Sequence, residues 1–310
     1  MKKCTFFLFF ISLYSICQDV WLTFDEKEPK NDYVFATWKT YRLGNAQTTE
    51  TVKKNHLEYR IMHRFGNMVD KSKTFNQLAH TAFGLDNVND VRIGLDYGIL
   101  DNLTLGVGRS RYNELLDFSF KWCFLKQTTQ LKNPVTLALF SSVGYTTMNS
   151  TRMYFNVINK NFKTQELHRL TYVTQLILAR KLTKRLSVEI LPTWYHKNFV
   201  VLQYNDAGVA NNNSYFLLGT AARYKLNNRL VLFFDYFYNF HPYFKNNKTV
   251  YMPFTVGCEL ETGGHVFTLF WTNANAIVEN NFLEGSKDSW NDLQIKFSFC
   301  ISRTFSFKKD

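Results

Sequence analysis

The stretch DLQIKFSFCIS, residues 292–302, alternates without a break. Leu293, Ile295, Phe297, Phe299 and Ile301 fall on one side, and Asp292, Gln294, Lys296, Ser298, Cys300 and Ser302 on the other. A repeat of two puts successive side chains on opposite faces of an extended strand. The apolar face must then meet either a second sheet or lipid, and that choice decides what the polar face looks into.

The pattern recurs along the chain. HLEYRIMHRF (56–65), VRIGLDYGI (91–99) and LTLGVG (103–108) alternate in the same way, followed by 115–126, 134–144, 167–181, 185–198, 214–226, 229–240, 252–261, 265–273 and 291–302. With 33–42 this makes about thirteen candidate strands. Many reach nine residues, long for a globular protein and suited to tilted strands that cross a bilayer. Tight turns at LDN (100–102), TKR (183–185), NN (227–228) and ETGGH (261–265) alternate with longer polar stretches at 145–166, 199–213, 241–251 and 274–290. Short turns at one rim and long loops at the other are the habit of outer-membrane barrels. Aromatic residues make up 17% of the chain and gather toward strand ends: Trp38, Tyr41, Trp122, Phe124, Trp194, Tyr195, Tyr236, Tyr238, Trp271, Phe305 and Phe307. Rings of this kind form girdles at headgroup level. The expected fold is all-β: a transmembrane antiparallel up-and-down β-barrel of about 12–14 strands, with short periplasmic turns and longer outer loops. An odd count implies a strand split or missed, and 66–90 reads equally as loop, short helix or strand.

The first residues set the compartment. Lys2 and Lys3 precede an apolar run, Cys4 to Ile16, too short to span a bilayer. Ser15 and Cys17 are the small residues a cleavage site uses, so residues 1–17 read as a signal peptide and 18–310 as a single barrel domain. Acylation of Cys17 is the rival, and Ile16 fits it poorly. No later run approaches the ~20 apolar residues of a membrane helix; LVLFFDYFYNF (230–240) is short and carries Asp235. Cys123, Cys258 and Cys300 are widely spaced and form no CxxC, which argues against a disulfide framework, a zinc site or covalent haem. No cofactor is expected. The net charge is +12, but the basic residues are scattered, with no block that suits nucleic acid.

The polar faces of the candidate strands supply the expected lumen. Arg60, Arg64, Arg92, Lys121, Arg223, Lys225 and Lys296 stand against Glu58, Asp96, Asp117, Glu189, Asp235, Glu259 and Glu261. A wide anion-selective pore would show one sign in excess. Seven against seven suits a narrow or plugged barrel, with the surplus positive charge left to loops and rims.

The sequence GGHVFTLFWTNANAIVENNFLEGSKDSWNDLQIKFSFCISRTF (263–305), with HRFG (63–66), FGLD (83–86), LDYGILDNLTLGVGRS (95–110) and KNPVTLALFSS (132–142), resembles a β-barrel family of Bacteroidetes-type bacteria. The resemblance covers nearly all of the chain after residue 17. It implies a bacterial outer-membrane location, with outer-membrane lipid and the barrel-insertion machinery as partners, and carries no catalytic residues. Barrels often end on an aromatic residue read by that machinery; here Phe307 is followed by Lys308, Lys309 and Asp310.

Two alternatives keep other chemistry open. A barrel-embedded lipid hydrolase would need a Ser activated by His. His265 with Asn273, Ser286 and Ser289 is the nearest constellation, and no GxSxG is present. A soluble exported β-sandwich that binds a ligand would turn the apolar rows inward. GVGRSR (106–111) is only the start of a GxGxxG pattern, and its glycines read as relief of crowding inside a barrel. The loop 205–214 reads as solvated. Ile277, Val278, Phe282 and Leu283 within 273–288 point to a loop folded over or into the lumen, or to a partner contact. The function expected is a non-enzymatic narrow or plugged channel, passive transporter or structural membrane component, its solute unspecified.

Overall fold

The computed structural model describes residues 32–34, 37–155, 157, 162–227, 229–245, 247–262 and 265–307. The signal-peptide segment 1–17 lies outside the described residues.

Two short strands come first, β1 (Arg42–Leu43) and β2 (Ala46–Gln47), paired as a hairpin. Then follow β3 (His56–Val69), helix α1 (Phe75–His80), β4 (Val88–Leu100), β5 (Leu103–Ser110), β6 (Leu115–Leu125) and β7 (Thr136–Thr146). Next are the short α2 (Ser150–Met153), β8 (Leu170–Lys181), β9 (Leu186–Lys197), β10 (Ser214–Lys225) and β11 (Leu230–Asn239). The chain finishes with β12 (Phe254–Thr262), β13 (His265–Thr272), α3 (Glu279–Phe282) and β14 (Ile295–Ser306).

Strands β3 to β14 close into one antiparallel barrel of twelve, each paired to its neighbours in sequence, and β14 returns to β3. Closure leaves no sheet edge, so each strand finds ladder partners on both sides within the wall. The sandwich alternative fails here. Phe297 and Phe299 lie on the outer face among Phe65, His63 and Trp271, while Lys296, Ser298 and Cys300 are buried inside. Around the ring the outward rows are apolar and exposed, as in Ile93, Leu95, Tyr97 and Ile99 of β4, where Asp90, Arg92 and Asp96 point inward.

The surplus thirteenth strand is 33–42. That segment does not join the wall. Trp38 and Tyr41 are 1% and 5% exposed inside the barrel, so they belong to no girdle, and Tyr195 also faces inward. Trp122, Phe124, Trp194, Tyr238, Trp271, Phe305 and Phe307 do lie on the outside. The ambiguous 66–90 contains the end of β3, then α1 under a Thr74–Gln77 capping box, then the start of β4.

Connections alternate in length, with two exceptions. Residues 111–114 are a short link at the long-loop rim, and 126–135 a long one at the short-turn rim. The latter receives the incoming chain: Tyr33 bridges Thr128, and Val34 N donates to Gln127 O at 2.8 Å.

Candidate functional site

A barrel with a polar interior is the natural place for function, and here that interior is occupied. The hairpin of β1 and β2 rises from the short-turn rim. Its tail, 52–55, runs along β4, where Lys54 bridges Gly98 and Asn55 N donates to Gly98 O at 2.9 Å. A Cβ at Gly98 would overlap the carbonyl oxygens of Val52 and Lys53, so this glycine is where the backbone passes against the wall. The hairpin tip turns at Gly44, φ +56°, beside β11 and β12. Asn45 N donates to Asp235 Oδ2 at 2.9 Å, Asn45 Nδ2 to Thr255 Oγ1 at 2.8 Å, and Arg64 Nη2 to Asn45 Oδ1 at 2.8 Å.

The loop between β13 and β14 enters from the opposite rim and carries α3 into the lumen. Ala274, Ala276, Ile277, Val278, Phe282 and Leu283 are all at most 3% exposed. The apolar quartet of this loop therefore folds inward. Wall side chains hold its backbone: Ile277 N donates to Asp90 Oδ2 at 2.9 Å, Arg64 donates to Ala274 O and Ala276 O, and Lys296 Nζ donates to Asn273 O at 3.3 Å. Hairpin and loop meet in mid-barrel. Arg42 Nη1 lies 3.0 Å from Glu279 Oε1, Arg42 Nη2 donates to Ile277 O at 2.6 Å, and Gln47 Nε2 donates to Glu279 Oε1 at 2.9 Å. A cavity of about 10 Å³ remains beside Tyr41, Arg42, Arg60 and Arg92, room for a single water.

The interior has two unlike halves. Along β3 to β6 it is ionic. Arg60 pairs with Glu58 and, at 3.2 Å, with Asp96; Arg92 grips Asp117 through two bonds of 3.1 and 2.5 Å. The Arg92 guanidinium lies over the cross-strand pair Gly94 and Gly108, where a Cβ would meet its nitrogens. Along β7 to β11 an apolar cluster forms, in which Phe140, Val173, Ile177, Leu191, Leu217 and Phe237 pack with Leu43, Ala46 and Phe282, with Glu189, Arg223 and Asp235 buried beside it. Apolar residues occur on both faces of β7 to β9, which weakens the alternation in sequence there.

The charges expected in the lumen are distributed as follows. Arg60, Arg64, Arg92, Asp96, Asp117, Lys121, Glu189, Arg223, Asp235, Glu259 and Lys296 are buried inside. Lys121 donates to Tyr41 O at 2.6 Å, its ammonium 3.3 Å from the Tyr41 ring centroid. Arg223 reaches Thr37 O at 3.4 Å, Glu259 accepts from Thr40 Oγ1 at 2.5 Å, and Lys296 pairs with Asp288. Glu189 accepts no hydrogen bond from a described residue. Glu58 and Lys225 are half-buried at the short-turn mouth. The Glu261 side chain lies outside the described residues. Sequence reasoning missed Arg42, Asp90 and Glu279, which stand on the hairpin, at the top of β4 and in a loop. A buried acid two residues before Arg92 on the same face was the available signal for Asp90.

The hydrolase constellation is not assembled. The His265 backbone begins β13 at the short-turn rim, and Asn273 follows its far end, about 25 Å along the strand. Ser286 Oγ donates to Asn273 O at 2.5 Å at that far end. Among the described residues no cluster of His, Cys, Asp or Glu suits a metal ion.

Several solved structures are similar in outline. NanC porin aligns with a TM-score of 0.45 at 10% identity over 82% of this chain and 100% of that one. KdgM porin gives 0.43 at 9% identity over 82% and 99%. The translocator domain of the autotransporter NalP from Neisseria meningitidis gives 0.37 at 13% identity over 81% and 88%. No curated protein matches the chain significantly. The family model described as membrane bound beta barrel domain (DUF5777) matches residues 38–305, and the chain belongs to that family.

Proposed function

We propose that this chain is a non-enzymatic barrel of the bacterial outer membrane whose lumen is closed by its own segments: a plugged channel or passive transporter, or a structural component of that membrane. The observation that carries the reading is the meeting of hairpin and loop at Arg42 and Glu279, beside a cavity of about 10 Å³. Magnitudes favour a plug that stays. Burying a large apolar side chain is worth about 1.5–3 kcal/mol. Trp38, Leu43, Ile277, Phe282 and Leu283, all at most 1% exposed, together hold the filling by on the order of 10 kcal/mol on that scale.

The rest of the proposal follows from a membrane barrel. Residues 1–17 serve as a signal peptide, 18–310 as one barrel domain, and the short turns face the periplasm. A source among Bacteroidetes-type bacteria belongs to the same reading. Outer-membrane lipid and the insertion machinery are the partners, with no nucleic acid and no cofactor. Planar-bilayer recording on the refolded protein tests it. A silent bilayer, or rare brief openings, is expected. Steady large conductance from the unmodified chain would overturn the plugged reading.

A further inference from the structure

The surplus positive charge is unevenly placed. The five connections at the short-turn rim carry Lys126, Lys132, Lys184, Arg185 and Arg229 against a single acid, Asp101. The six connections at the opposite rim carry ten basic residues against nine acids. There Arg152 pairs with Glu114, Arg169 with Glu166 and Lys197 with Glu284. At the short-turn rim Arg180, Lys184, Arg185 and Arg229 are exposed, and no described carboxylate pairs with them.

Two of these side chains, Lys184 and Arg185, line one groove. The turn from β8 to β9 and the foot of β10 border an open groove of about 530 Å³ lined by Thr183, Lys184, Arg185, Leu186 and Tyr224. Leu186 and Tyr224 are cross-strand partners in the outward row, and Leu232 continues that row on β11. The floor is therefore continuous with the apolar outside of the barrel, while the lip is cationic. Arg180 stands on the same outer face of β8, and Arg229 occupies the next turn. Thr183 Oγ1 accepts from the backbone N–H groups of Arg185 and Leu186 at 3.1 and 3.0 Å, which fixes the turn over the groove.

We infer that this groove seats an anionic phospholipid of the leaflet adjoining the short-turn rim, its phosphate between Lys184, Arg185 and Arg229 and an acyl chain along Tyr224 and Leu186. A free anion would use the lip and leave the floor bare. Long basic side chains lie with stems on apolar surface and heads in the polar layer. Each such residue at an anionic leaflet is worth about a fivefold preference.

The test uses the full chain refolded in phosphatidylcholine bilayers with a spin-labelled lipid tracer, read by electron paramagnetic resonance. Labelled phosphatidylglycerol is expected to associate about two- to fivefold more than labelled phosphatidylcholine, the annulus averaging over weaker sites. The preference should shrink toward parity in Lys184→Gln/Arg185→Gln/Arg229→Gln and survive in Lys245→Gln/Lys248→Gln at the opposite rim. Heat-modifiable gel mobility verifies that each variant is folded. Added salt should weaken the preference in the unmodified chain, which needs no variant. Equal association of the two lipids in the unmodified chain would overturn the inference, as would a preference that the triple substitution leaves intact. Loss of the preference to inorganic phosphate at matched ionic strength would also overturn it, in favour of a soluble anion. None of these outcomes depends on whether the lumen conducts.

Discussion

Arg42 and Glu279 stand 237 residues apart in sequence and 3.0 Å apart in the lumen, with side chains 4% and 1% exposed. One rides on a hairpin that came in through the short-turn rim, the other on a loop that came in through the opposite rim. Removing one member of a buried pair leaves a charge without its counterpart, at about 3–5 kcal/mol. Arg42→Met and Glu279→Gln are each expected to lower the thermal midpoint and to turn a silent bilayer into a flickering one. Combining the two should recover part of the loss. Thermal melts and bilayer recordings of the three variants, compared with the parent, measure the coupling; strictly additive losses would show that the pair does not act as a unit.

Gly44 makes the hairpin tip possible. Its φ is +56°, and a Cβ there would fall 2.5 Å from Asp235 Oδ2 and 2.8 Å from Phe233 Cε2. Gly44→Val should cost at least about 1–3 kcal/mol in backbone strain alone. Hydrogen exchange is expected to rise in 38–50 while the strands of the wall keep their protection. Unchanged protection of 38–50 would contradict the docking described.

Phe282 anchors the other half of the filling. It is 1% exposed and meets Phe237 edge to face at 5.2 Å. Phe282→Ala is expected to cost roughly 3–5 kcal/mol. Protease cleavage within 273–288, followed over time in refolded protein, should accelerate, and a rate equal to the parent's would speak against a buried loop.

Acid should loosen the loop between β11 and β12. Burial holds the His241 imidazole below its usual value. Its Nδ1 accepts from Tyr243 N at 3.2 Å, so the neutral ring is the one that fits. A histidine with a lowered folded value takes up its proton more readily unfolded. The stability it contributes is thus full above the unfolded value near 6.5 and is lost as pH falls through the lowered one. A histidine NMR titration should read His241 below 6.5, and His241→Asn, which keeps an acceptor, should flatten the acid response of the loop.

Much of this was readable from residues alone, in proportion to how simple each environment is. The row Lys296, Ser298 and Cys300 against Ile295, Phe297 and Phe299 meets two contrasting media, and a period of two records that plainly. Residues 33–42 misled because aromatic side chains that fill a lumen look like those that line a girdle. Trp38 is 1% exposed and Trp122 is 45% exposed, yet nothing in their neighbourhoods of sequence separates them. Ile277, Val278, Phe282 and Leu283 did betray the inward loop, since four apolar side chains in a polar stretch need cover. The contact from Arg42 to Glu279 had no such signature, because it joins two ends of the chain through the centre of a ring.

The pairing of β14 with β3 carries a consequence for biogenesis. The seam runs from Val69 opposite Ile295 down to His56 opposite Ser306, and the hairpin immediately precedes β3. The hairpin that precedes the wall in sequence is thus the cargo the finished wall surrounds, while the last strand of the wall, β14, is the one that shuts it in. Assembly resembles packing a case before fastening the lid, and a barrel whose seam zipped early would be left with the hairpin outside.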